Sequence, residues 1–432
     1  MFLKYFSTID FDLNSSFHRG LNKINNLPKF QKFMSYFWIL GPFFYLIERD
    51  PADLWLTTIS LIFIIRCSLK NDWRWAGQLW FVFAILLWIT GLLSAILGPY
   101  EKFSFFQGLV WIRFPIYVAA AQAWLGKDKD IRMVMFVSIL IGMVIMCIIL
   151  SLELLFEGVK DRLSWPYGDL VPGSYLSKLS LPIFCTLIAI ICYRFKKNNI
   201  LSFLIVLWSI ILVFLSGERG NFLIRFFGGL LSIFSWKSNK VNLVKISIFI
   251  TTFFILSLTI ISIFNKPKFE QYTHHFFKAV PIFNTSINNP YWGAWRSGIQ
   301  QGLYKPMIGM GPSSSRIHCK TMKSNEFNWL PGKNFCLNHP HNFYLQLFAE
   351  TGIVGLIFGT LMIFFLFKTC YDGRKIDVNC PLLSICYIIP LAFFFPLQQM
   401  GSFFGQWGNL FIWFPIGFCV SQIQDFKSIF KK

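Results

Sequence analysis

Five of the six histidines fall within residues 265–341: His274, His275, His318, His339 and His341. The last two open a stretch that turns from polar to apolar, His339-Pro-His-Asn-Phe-Tyr-Leu-Gln-Leu-Phe-Ala-Glu-Thr-Gly-Ile-Val-Gly-Leu-Ile-Phe-Gly359. A neutral imidazole accepts a proton, and the positive end of a helix dipole favours the neutral form. His341 at such a helix start is therefore suited to general-base work or to binding a hydroxyl. The plain alternative is an interfacial histidine satisfied by its neighbours. On a helix turning about 100° per residue, Gly352, Gly355 and Gly359 lie about +20°, −40° and 0° from His341. That spacing predicts a stripe where another helix can approach closely. Asn342, Gln346 and Glu350 form a separate polar stripe. Glu350 lies about 180° from His341 and roughly 13 Å deeper on a continuous helix. It is expected to act structurally, pairing with Arg225 or Arg113 or accepting local hydrogen bonds.

Arginines supply the second kind of chemistry. Arg219 sits between Gly217 and Gly220 in a tight turn, where a planar guanidinium fork suits a phosphate. The plain alternative is an arginine snorkelling to lipid headgroups. Arg296 lies in a segment whose residues Trp292, Trp295, Ile299 and Leu303 share one helical face. This predicts an amphipathic helix at the membrane surface with Trp at headgroup depth. The turn-rich Lys305-Pro-Met-Ile-Gly309-Met-Gly311-Pro follows, and its glycines allow backbone amides to approach an anion. His339, His341, His274 and His275 resemble a metal-ligand set. Carboxylates are scarce there (Glu270, Glu326) and no regular ligand spacing exists, so no metal and no other cofactor is expected.

These groups need elements to position them. The chain has 432 residues, 55% of them hydrophobic and 14% charged. Repeated apolar runs of about 20 residues suit helices that cross a bilayer. Twelve spans are expected at 33–49, 52–69, 74–97, 103–125, 132–156, 174–194, 200–216, 220–236, 243–264, 342–367, 381–398 and 406–424. The fold class is all-α: a polytopic integral membrane protein of about 12 transmembrane helices with one large external loop. Segments expected inside carry 23 Lys and Arg, and the short outside loops with their span ends carry six. The bias puts both termini in the cytoplasm. The organisation is thus a basic tail over 1–32, helices 1–9 over 33–264, a loop domain over 265–341, helices 10–12 over 342–424 and a tail over 425–432. A smaller outside segment, 157–173, contains Arg162. The net charge of +20 follows from topology, so nucleic acid is not expected as a partner. Most of the ten cysteines sit in apolar runs as inert core residues. Cys319 and Cys336 lie in the long loop and are expected to pair in an oxidising compartment.

The pattern Arg219-x-x-x-Leu223, a large external loop with Trp295-Arg296 and Pro306-x-x-Gly309-x-Gly311, and finally His341-Asn-x9-Gly352-x-x-Gly355 resembles the O-antigen ligase and polymerase superfamily of bacterial envelope glycan assembly. The resemblance spans roughly residues 200–365 by motif. It implies an inverting, metal-independent glycosyltransferase in the bacterial inner (plasma) membrane with a periplasmic site. The donor would be an undecaprenyl-diphosphate-linked glycan. The acceptor would be a lipid A–core oligosaccharide for a ligase, or another lipid-linked repeat for a polymerase. His341, Arg219 and Arg296 match the family's catalytic positions. Arg162, Arg316, His339 and Asn342 are further substrate-binding candidates. Ligase is the first reading. A polymerase, a protein O-oligosaccharyltransferase and, from another class, a transporter with a regulatory external loop remain as alternatives.

Overall fold

The protein was described as a computed structural model. Residues 13–158, 163–167, 171–193, 200–235, 290–321, 338–376, 380–398 and 401–423 are described, and among them all regular structure is helical. The helices are α1 (Leu13–Asn25), α2 (Lys29–Ile39), α3 (Gly41–Ile47), α4 (Arg49–Lys70), α5 (Leu79–Leu97), α6 (Glu101–Trp111), α7 (Arg113–Trp124), α8 (Lys129–Glu157) and α9 (Val171–Ser174). There follow α10 (Leu181–Tyr193), α11 (Ile200–Leu215), α12 (Arg219–Ser235), α13 (Pro290–Tyr304), α14 (Ser315–Thr321), α15 (Phe343–Gly373), α16 (Pro381–Ile385), α17 (Ile388–Phe393) and α18 (Gln406–Ile423). Side chains cap several starts: Glu48 accepts the Arg49 amide and Asp128 accepts the Asp130 amide.

Five of the described helices are long and apolar enough to cross a membrane: α4, α5, the α6–α7 pair taken together, α8 and α15. A sixth arises if Val171–Leu179 and Leu181–Cys192, bent by 50°, count as one span. The chain is thus an all-helical membrane protein, and several of the twelve expected spans are broken or short. The run 33–49 is split between α2 and α3, where Gly41-Pro42 starts a new helix. The run 381–398 comes as α16 and α17, and α11 is a shorter apolar helix. Proline removes a ladder donor and crowds the preceding turn, so a hydropathy run can stay continuous while its helix does not. The expected span 243–264 lies outside the described residues.

The most consequential break is inside α15. Gly352 has φ 66° and ψ −168°, far from helical values. The carbonyls of Ala349 and Glu350 accept the amides of Met310 and Gly311 at 3.1 and 2.9 Å. The amides of Ile353 and Val354 donate to the carbonyls of Pro306 and Met307 at 2.8 and 3.5 Å. The turn 306–311 therefore replaces the ladder bonds that the break removes. A Cβ built on Gly359 would lie 2.6 Å from the Leu347 side chain. On a straight helix these two positions are about 18 Å apart. The segment 343–351 is accordingly folded back against 353–373. The glycine stripe expected to receive another helix instead receives the turn at Gly352 and the chain's own preceding half-helix at Gly359. Along its length α15 packs chiefly on α5.

Salt bridges tie one end of the bundle. Lys23 reaches Asp128 at 2.6 Å and Asp130 at 2.7 Å, and Arg66 pairs with Asp72. The two carboxylates raise the Lys23 ammonium above its ordinary pKa. The other end gathers the loops that matter below: Lys305 donates to the Leu97 carbonyl, and Tyr100 hydrogen-bonds His318.

Gly352→Ala places a Cβ 2.3 Å from the Met307 backbone in a left-handed conformation. It should destabilise the protein by about 2 kcal/mol or more. Gly408→Ala, whose Cβ meets nothing within 4 Å, should be close to neutral. Thermal unfolding of the two variants in detergent checks the contrast.

Candidate active site

Helix α13 is held by its small face. Ala294, Ser297, Gly298, Gln301 and Gly302 are buried, whereas Ile299 and Leu303 are 37% and 63% exposed. A Cβ on Gly298 would lie 2.7 Å from Pro340, and one on Gly302 would lie 2.2 Å from Phe348. Two glycines one turn apart thus bring the α13 backbone against 340–348, and the apolar edge 299/303 faces outward. The expected amphipathic helix is present, with its buried side made of small and polar residues. Tyr291, near its start, sets its ring edge-on to His341 at 5.5 Å between centroids. Arg296 lies little more than one turn further along the same helix and is half-buried.

The two histidines are adjacent, with ring centroids 4.2 Å apart. His341 has φ 56°, so the chain turns sharply before α15 begins. The helix itself starts at Phe343, capped by Asn342, whose Oδ1 accepts the amides of Tyr344 and Leu345 at 3.0 and 3.1 Å. His341 therefore precedes the cap instead of lying on the helix. The Nε2 of His339 is buried with no hydrogen-bond partner among the described residues. Burial, with smaller contributions from His341 and Arg316, pushes the His339 imidazole down to about 3. Its ring is thus neutral at ordinary pH, and Arg316, itself exposed, is close enough for its charge to act on it.

A strap connects this corner to the start of α12. Asn342 Nδ2 donates to the Pro396 carbonyl at 2.6 Å, and the Tyr344 hydroxyl to the Phe394 carbonyl at 2.7 Å. Two residues on, Gln398 Nε2 donates to the Gly220 carbonyl at 3.3 Å. Gly220 follows Arg219, the first residue of α12, after Gly217 has turned the chain at φ 76°. The backbones at 219–220 and 341–342 are in this way joined through 396–398. Asn342 serves the cap through its Oδ1 and the strap through its Nδ2.

Glu350 is fully buried and meets neither arginine proposed for it. Arg225 donates to the Leu176 carbonyl, to Ser180 Oγ at 3.1 Å and to Ser209 Oγ at 2.7 Å, and lies over the Phe184 ring. Arg113 donates to Asp53 and Gln406, each at 2.5 Å. One partner is local, Gln346 Nε2 at 3.0 Å, and the others, the Ser313 amide at 2.7 Å and Ser315 Oγ at 3.3 Å, come from the loop before α14 and its first residue. Gln346 in turn donates to Ser402 Oγ and accepts the Phe403 amide. The glycine-rich turn gives its amides at 310 and 311 to main-chain carbonyls, and the Glu350 carboxyl is reached by the Ser313 amide just beyond it. The amides at 310, 311 and 313 are thus all engaged by residues 349–350.

Tyr291, Gln398 and the strap were not evident from the sequence, whereas Gln346 was placed on the polar stripe with Glu350. Only the polar pair Gln398-Gln399 in an apolar run signals the strap. Arg162, His274, His275 and Cys336 lie outside the described residues, and with Cys336 goes the expected Cys319 pairing. Among the described residues no three His, Cys, Asp or Glu side chains group as metal ligands. What the described corner can do is accept a proton on imidazole, with the Arg316 charge acting on the neighbouring His339 ring.

Residues 204–359 match a family model described as O-antigen ligase. The match runs from α11 through the break in α15 and takes in Arg219, Arg296, Arg316, His339 and His341. No curated protein matches the chain.

Two outcomes follow from the site's chemistry. Glu350→Ala leaves a buried amide and two side-chain donors unpaired and should cost about 2–4 kcal/mol, read as a lowered unfolding midpoint. His339 is neutral when folded down to about pH 3. In the unfolded chain it protonates below about 6.5, so the unfolded state binds the extra proton between these values. Stability should therefore fall as the pH drops below about 6.5, and His339→Asn should flatten that dependence in unfolding measurements across pH 4–7.5.

Proposed function

We propose, from the match of residues 204–359 to a family model described as O-antigen ligase, that the chain is a glycosyltransferase of the ligase type. It moves a glycan from undecaprenyl diphosphate to a hydroxyl of a lipid A–core oligosaccharide, without metal, on the periplasmic face of the inner membrane. His341 takes the proton of the acceptor hydroxyl as that oxygen bonds to the anomeric carbon. The bond from that carbon to the phosphate oxygen breaks, and its electron pair leaves with undecaprenyl diphosphate. Attack opposite the leaving group inverts the anomeric carbon. Arg219 and Arg296 neutralise the charge that develops on the diphosphate.

The observation that carries this reading is the convergence on 339–342. The helix bearing Arg296 packs on Pro340 through Gly298, and the helix opened by Arg219 is joined to Asn342 through the strap. The break in α15 is also a feature of transporters, but here four backbone groups around it are bonded by the turn 306–311.

The test is reconstitution of the purified protein with undecaprenyl-diphosphate-linked glycan, in chelator, with either lipid A–core or further lipid-linked repeat. Transfer to the core is expected. Lengthening of the lipid-linked glycan would make the protein a polymerase, and no transfer to either would refute the enzyme. His341→Ala should slow transfer by about 10²–10⁴-fold. Arg219→Ala and Arg296→Ala should each slow it by about 10²–10³-fold. If all three keep the parental rate, the active site is elsewhere.

A further inference from the structure

The two imidazoles at 339 and 341 divide the work unequally, and the proposed transfer uses only one. Four observations bear on the other. The His339 ring lies 4.2 Å from the His341 ring between centroids, inclined at 53° to it. The Nε2 of His339 is buried and unpartnered among the described residues. A buried polar atom without a partner is costly and is regularly completed by a ligand or water. Pro340 between the two histidines is pinned against Gly298, which limits how far the rings can move apart. Finally, the surroundings favour the neutral ring: burial and the positive charge of Arg316 both oppose a second cation.

A neutral imidazole offers one donor and one acceptor. A phosphate is acceptor-only and is bound best by charged donors. A sugar hydroxyl both donates and accepts, and so matches the neutral ring. Neighbouring hydroxyls on a sugar ring lie about 3 Å apart, and each needs a nitrogen within roughly 3 Å. Two imidazoles at this separation fit such a pair. Resting on the transferase reading above, we infer that His339 is a specificity-determining residue that hydrogen-bonds the hydroxyl adjacent to the one His341 deprotonates. The acceptor class is therefore a sugar presenting a vicinal diol, read by one histidine for chemistry and by the other for identity. Arg316, exposed beside His339, is left for any phosphate the acceptor carries.

The experiment uses the full-length protein in proteoliposomes with undecaprenyl-diphosphate-linked glycan and a panel of acceptors, each lacking one hydroxyl. For the parent, one deoxy acceptor should be inert because it lacks the receiving hydroxyl. A second, lacking the vicinal hydroxyl, should react about 10–100-fold more slowly, the cost of a buried polar atom left unpaired. In His339→Leu no such atom remains, and that second penalty should shrink to about threefold or less. His339→Gln, which keeps a donor and an acceptor, should retain part of it. A parent that shows no vicinal penalty overturns the inference without need of any variant. So does a His339→Leu protein that keeps the full penalty, or one in which the penalty for removing an acceptor phosphate disappears instead. A parent that transfers to no acceptor overturns the transferase reading itself, which is a different result from transfer without discrimination.

Discussion

The structure depends on how a broken helix is kept satisfied where it is buried. Amides and carbonyls buried at the break have no water to turn to, and each left unpaired costs several kcal/mol. The break at Gly352 survives because the backbone of 306–311 supplies two donors and two acceptors in register. The fit is mutual. Gly309 and Gly352 are both left-handed, and a Cβ on either would lie within 2.4 Å of the other segment's backbone. Neither the turn nor the fold-back exists without the other. The half-helix 343–351 that results carries the Asn342 cap, receives α13 and presents Glu350 to the turn.

Glu350 and Arg225, both fully buried, are held by neutral partners and not by counter-charges. Glu350 is held by an amide, a hydroxyl and a carboxamide, and the same carboxamide goes on to fix 402–403. Arg225, equally buried, is held by a main-chain carbonyl, two serines and an aromatic face. Hydrogen bonds to the charged form can replace an ion pair when their geometry is complete. A search for opposite charges in the sequence therefore joins residues that the fold keeps apart.

This limits what could be read in advance. Helicity and membrane residence follow from composition and run length. The histidine pair, the turn before Arg219 and the Gly309-x-Gly311 turn were all visible as local patterns. The fold-back was not, because glycines at 352, 355 and 359 fit one face of an unbroken helix as well as they fit a reversal. The partners of Glu350 were not visible either. One of them is a backbone amide 37 residues away, and amides leave no trace in residue identity. The face of α13 was read from its large apolar residues, while the contact was made by its glycines, alanine and serine. Span counting failed where Gly-Pro and internal prolines divide an apolar run into two short helices.

The strap deserves a last comparison with the groups it aligns. Its acceptors at Phe394, Pro396 and Gly220 are all main-chain carbonyls. The spacing between the start of α12 and the histidine corner is consequently written in backbone, with only Asn342, Tyr344 and Gln398 reading it. The side chains of Phe395 and Leu397 are half exposed and take no part in these bonds. Substitutions at those two positions can change the exposed surface while the bonds that join the start of α12 to the histidine corner are left in place.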